Sequence, residues 1–197
     1  MESRIAILGW GSLVWDVSPQ FAYFHEQHEE WLTDGPAISL EFSRVSETRD
    51  DALTLVIDPK NGAPCRVAYA LSKRNDLNDA ICDLRSREGT IHKRIGVVRS
   101  LDPVTSGETL EMSAIKGWAR SKGLFAVVWT DLPSNFDAKV GKPFSVDNAL
   151  GHIRSLSAEG KAKAAEYVWR APTFIDTPLR RALQAEPWFA HNPNDAR

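Results

Sequence analysis

Cysteine and methionine are nearly missing from this 197-residue chain, with two of each. Cys65 and Cys82 stand too far apart for a Cys-x-x-Cys pair, and two cysteines are too few for a disulfide scaffold. We expect two buried thiols in a reducing compartment, and hence a cytoplasmic protein. Neither sign of charge dominates: 24 Lys and Arg against 26 Asp and Glu leave a formal net charge of −2. Such a chain generates no field to draw in nucleic acid or an anionic membrane, and neither is expected as a partner. No apolar stretch approaches the ~20 residues of a bilayer-spanning helix. Residues 5–15 come nearest, about as long as the apolar part of a signal peptide. Glu2 offsets Arg4, however, no small-x-small cleavage site follows, and Gly9 and Gly11 interrupt the run. A buried strand closing in a turn is the expectation there. Repeats, low-complexity tracts and Gly/Ser linkers are absent too, so a single domain over 1–197 is expected.

What the chain does hold is 43% hydrophobic residues, enough for one sizeable core, and seven tryptophans, most of them expected in core or pocket wall. Strands are expected at 4–8, 37–45 and 53–57. The turn signal Asp58-Pro59-Lys60-Asn61-Gly62 follows, with a hairpin return at 66–71. The period then becomes helical from Ser72, a plausible N-cap, to Glu88, and Gly89 stands where a helix-ending glycine belongs. Residues 94–100 and 124–130 read as strands. Residues 18–32 carry a weak helical pattern, and 110–121 fit a helix or an irregular strand pair. Helix starts are expected at Ser145, Ser157 and Thr177-Pro178, with Pro172 separating the last two helices. Strands crowded early and helices late point to an α+β class with a helical final third from about 145.

Two constellations carry chemistry. The turn Gly9-Trp10-Gly11-Ser12-Leu13 closes a buried strand, where glycines can take otherwise forbidden angles and aim successive amides at a carboxylate or phosphate. The same turn could simply redirect the chain. Val14 occupies the third glycine position of a dinucleotide-binding fingerprint, and Ser12 lacks the following glycine of a nucleophile elbow. The second constellation is Glu88. Leu77, Ile81, Leu84 and Glu88 recur at intervals of four, three and four, which places the carboxylate on the apolar stripe of its helix. Burial and the negative helix end beside Gly89 would both raise its pKa and suit it to act as a general base. The alternative is a solvated glutamate paired with Arg85. His25 and His28 lie three apart, but they form no HExxH motif and no third ligand is evident, so no metal is expected. His92, His152 and His191 are isolated, and the basic runs at 92–94 and 116–122 read as solvated faces.

Residues 8–15, Leu-Gly-Trp-Gly-Ser-Leu-Val-Trp, resemble the glycine-serine loop that opens the γ-glutamylcyclotransferase-like superfamily, closest to its glutathione-specific branch. Residues 84–89, Leu-Arg-Ser-Arg-Glu-Gly, resemble the segment bearing that family's catalytic glutamate. Residues 42–46, 53–56 and 67–69 follow in the order in which the family places its strands, and the likeness runs to about residue 99. It implies a small mixed β-barrel with surrounding helices, in which Glu88 is catalytic and Trp10, Gly11, Ser12 and Leu13 bind substrate. The implied reaction is attack of the α-amine of a γ-glutamyl compound on its own γ-carbonyl, giving 5-oxoproline and a released amine, amino acid or dipeptide. The partner is a small-molecule γ-glutamyl substrate, and no metal or organic cofactor is required. The identity of the leaving group stays open. So do a non-catalytic binding module on the same scaffold and a homodimer or docking face built from the C-terminal helices.

Overall fold

The computed structural model describes residues 4–103, 105 and 107–189. Its strands are Ile5–Gly9 (β1), Ala37–Ser46 (β2), Ala52–Ile57 (β3), Ala63–Arg66 (β4), Ala68–Leu71 (β5), Ile95–Arg99 (β6) and Ala126–Thr130 (β7). The α-helices are Ser12–Trp15 (α1), Ala22–Glu26 (α2), Leu77–Glu88 (α3), Leu110–Ser121 (α4), Phe136–Val140 (α5), Val146–Ser155 (α6), Ala158–Arg170 (α7) and Pro178–Gln184 (α8). The chain divides into two compact units, Met1–Ile38 with Arg66–Leu132 and Ser39–Cys65 with Pro133–Arg197. The architecture is α+β, as its early strands and late helices imply.

In the first unit β1 is buried at every position, as an unbroken apolar strand must be when it lies inside a sheet covered on both faces. The strand order is β5-β1-β7-β6. β1 runs antiparallel to β5 and parallel to β7, and β6 is antiparallel to β7. Ile5 and Ile7 alternate onto one face, where they join Ala126, Val128 and Ile95 under Leu77, Ala80, Ile81 and Leu84 of α3. Asp76 starts α3 by accepting from the amides of Asn78 and Asp79, and Gly89 ends it in the left-handed region at φ 57°. The N-cap expected at Ser72 therefore moves to Asp76. Residues 110–121 resolve as helix, capped by Thr109. The weak helix expected over 18–32 is confined to a 3₁₀ turn at Pro19–Phe21 and to α2. After α2 the chain runs extended beside β5, bridging His28 to Ser72 and Leu32 to Tyr69.

The second unit holds β3-β2-β4 in that order. β2 and β3 are antiparallel, with an irregularity between Glu41 and Arg44. Asn135 clamps the β2 backbone, accepting from the Val45 amide at 2.7 Å and donating to its carbonyl at 3.1 Å. α7 packs on β3, and α6 on α7 and α8. The helix starts at Ser145, Ser157 and Thr177-Pro178 are all realised, each cap side chain accepting from an amide of the first turn. The hairpin expected between 53–57 and 66–71 is not formed. β3 pairs with β2, and residues 68–71 pair with β1 instead.

A closed barrel is likewise absent among the described residues. Closure needs the last strand edge to find the first, but the outer edge of β5 is already taken by the segment after α2. The amides of Glu29, Leu32 and Gly35 donate to the carbonyls of Leu71, Tyr69 and Val67, and Tyr69 donates back to Leu32. The two sheets stay open. Among the described residues no helix is long and apolar enough to cross a membrane. Of the two cysteines, Cys65 is buried, but Cys82 is exposed, because it falls on the face of α3 opposite Ile81 and Leu84.

Candidate functional site

β1 delivers its last residue, Gly9, to the mouth of the sheet, and the chain turns at once into α1. The expected left-handed glycines are not used here. Gly11 has φ −125°, and the described glycines with positive φ are Gly89, Gly123 and Gly141. Gly9 serves a different need. It continues the row of Ile5 and Ile7, and a Cβ on it would stand 2.8 Å from two ring atoms of Trp31 and from a Val14 methyl. The indole of Trp31 thus lies on the Gly9 backbone. Trp10, Gly11 and Leu13 are buried and Ser12 is partly exposed. The Gly11 carbonyl accepts from Val14 at 2.9 Å, and the Ser12 carbonyl accepts from Asp16 at 2.9 Å. In so short a helix the first-turn amides, those of Ser12 and Leu13, have no intrahelical acceptor.

α3 brings the carboxylate. Leu77, Ile81 and Leu84 are buried as their spacing requires, and the Glu88 side chain at the end of the row is 18% exposed. Its neighbour is Arg87 rather than Arg85. The Arg87 guanidinium lies 3.6 Å from Glu88 Oε1 and donates to the Ser12 carbonyl at 3.1 Å. It also stacks over the Phe21 ring at 3.5 Å, an arrangement that favours a desolvated cation. One arginine therefore ties the Gly11–Leu13 turn to the end of α3 that carries Glu88. Sequence spacing held a sign of this: Ala80, Leu84 and Arg87 follow at four and three, so Arg87 shares the inward stripe.

Comparison with protein-family models, curated proteins and solved structures finds no match for the chain.

Of the remaining residues singled out by sequence, His25 and His28 are brought together, Nδ1 to Nε2 at 3.2 Å. No group of three or more His, Cys, Asp and Glu side chains able to hold a metal ion occurs among the described residues. His92 is exposed, and His152 contacts the Asp51 carbonyl at 2.8 Å through Nε2. His191 lies outside the described residues. In the basic run 116–122, Lys116 is not solvated but buried and paired with Glu108 at 2.7 Å. Lys122 pairs with Asp34 in the same unit.

Proposed function

We propose that this protein is a γ-glutamylcyclotransferase-like enzyme that converts a γ-glutamyl compound to 5-oxoproline and releases an amine, amino acid or dipeptide. The observation that carries this reading is the Arg87 bridge, which ties the substrate-loop candidate to the helix end bearing Glu88. In this reaction the substrate's α-carboxylate must be held so that its own amine reaches the γ-carbonyl carbon, an entropic task suited to fixed backbone amides. The amides of Gly11, Ser12 and Leu13 take that role, with Trp10 behind them. The amine arrives as an ammonium and cannot attack until a base removes its proton. Glu88, beside the Arg87 guanidinium, is that base. It returns the proton to the departing nitrogen when the tetrahedral intermediate collapses, so that the carboxylate is regenerated with each turnover.

The test is mass-spectrometric detection of 5-oxoproline after incubation with glutathione and with a panel of γ-glutamyl amino acids and amines. Glu88→Gln keeps the size and polarity of the side chain but removes its basicity, and product formation should fall by about 10²-fold or more. The variant's circular dichroism should be unchanged. Near-normal turnover by Glu88→Gln would remove Glu88 from the mechanism. Absence of product from the folded native protein on every substrate would favour a binding module.

A further inference from the structure

The segment around α2 contains a hydrogen-bonded chain that the proposed reaction does not use. His25 Nε2 lies 3.0 Å from the Asp16 carbonyl, His25 Nδ1 lies 3.2 Å from His28 Nε2, and His28 Nδ1 meets the Glu29 carbonyl. A carbonyl oxygen only accepts, so His25 Nε2 and His28 Nδ1 must each carry a hydrogen. A neutral imidazole has one N–H. With both rings neutral, the two inner nitrogens would face each other as bare lone pairs at 3.2 Å. Three hydrogen bonds over four ring nitrogens need three protons, one more than two neutral rings hold. A fourth proton would set two N–H groups and two positive rings against each other. We propose that His25 and His28 form a binding site for one shared proton, an imidazolium–imidazole unit that ties the end of α1 to the segment carrying Trp31.

The surroundings suit one proton and resist two. The ring of Phe24 lies 5.0 Å and that of Trp31 5.1 Å from the ring of His28, and this packing keeps water from it. His28 is buried, which pushes it below the ordinary histidine value; its hydrogen bond to the Glu29 carbonyl pulls the other way, and the charges of His25 and Lys73 lower it further. The other charged groups on the packed elements are engaged or turned outward. Lys73 Nζ donates to the Glu26 carbonyl, the Asp16 carboxylate accepts from Ser18, and Arg74 pairs with Asp83. Arg87 stacks on Phe21, and Glu26, Glu29 and Glu30 are exposed.

Asp16 ends α1 by donating to the Ser12 carbonyl, and the Trp31 indole covers Gly9. The shared proton therefore fastens both flanks of the 9–16 turn. The proton site does not depend on reading that turn as the substrate loop.

The experiment is an imidazole ¹H/¹⁵N NMR titration of the full chain from about pH 8.5 to about pH 5, with signals assigned through His25→Gln and His28→Gln. The native protein should take up one proton between the two rings rather than two, with one downfield ring N–H signal, and the Trp31 indole N–H should shift at the same midpoint. In His25→Gln the midpoint reported by Trp31 should move, because His28 beside it no longer has a second ring with which to share the proton. Two independent titrations of a full proton each, or no change in either ring, would overturn the proposal. Proton counting in the native chain stands even if a variant fails to fold. A one-proton titration in a protein that makes no 5-oxoproline would sink the proposed function and leave this site intact.

Discussion

A Cβ added to Gly9 would approach Trp31 and Val14 at 2.8 Å, closer than any relaxed side chain comes to its neighbours. Gly9→Ala should therefore cost about 1–3 kcal/mol through overpacking, read as a lower denaturation midpoint. The cause can be isolated, because Trp31 is the large partner. In the Trp31→Ala background the same Gly9→Ala change should cost much less, giving a coupling of about 0.5–3 kcal/mol in a double-mutant cycle. Strict additivity would place the strain in the backbone instead. The glycine was legible in the sequence as a turn residue, but its physical reason was not. The ring that needs the space lies 22 positions away, in a segment that the helical pattern misdescribed. The place of Glu88 at the end of the buried row was legible because that row is local, whereas Arg87 is a charged member of an apolar stripe, and its contact with Ser12 lies 75 positions away. Cys82, one position past Ile81 on the same helix, shows how the inward and outward faces alternate within a single turn.

At the level of elements, most local signals succeeded, the cap expected at Ser72 and the helix expected over 18–32 being the exceptions, and the hairpin pairing did not. The caps at Ser145, Ser157 and Thr177 and the closing Gly89 each depend on a few neighbouring residues, and each forms. Which strand lies beside β5 depends on residues far along the chain, and nearness in sequence pointed to the wrong one. α8 illustrates a long-range contact that no local pattern announces. The Glu41 carboxylate, fully buried in β2, accepts from the Phe42 amide at 2.7 Å and from the Leu179 amide at 3.1 Å, at the start of α8. Burial pushes Glu41 above its ordinary value of 4.5, and the bonds from Thr177, Phe42 and Leu179 only partly offset this. Glu41→Gln offers one acceptor oxygen to two buried amides and should cost about 1–3 kcal/mol. A carboxyl whose folded value is raised contributes fully below its unfolded value and loses that contribution as pH rises through the folded value. The gap between native and variant in denaturant titrations should accordingly be widest below about pH 4.5 and narrow at neutral pH. A gap that widened with pH would mean that the ionised carboxylate is the stabilising form.

On the scale of the whole chain, the second unit is assembled from Ser39–Cys65 and Pro133–Arg197, with most of the first unit's sequence between them. Leu40, Phe42, Leu53 and Leu55 are buried in β2 and β3, yet much of their cover is made last in the chain. That arrangement gives the second unit many non-local contacts, which predicts slower folding than local contacts alone would allow. A chain ending at Ala171 tests this. It lacks Ile175, Leu179, Leu183 and Phe189, each at most 3% exposed, and burial of each contributes about 1.5–3 kcal/mol. Their sum is comparable to the ~5–15 kcal/mol that typically separates folded from unfolded states. Truncation also strips Glu41 of two of its hydrogen-bonding partners. Hydrogen exchange on the shortened chain should show β2 and β3 losing protection while the amides of β1 and β7, in the other unit's core, keep theirs. Equal loss in both sets would mean that the two units unfold as one cooperative body.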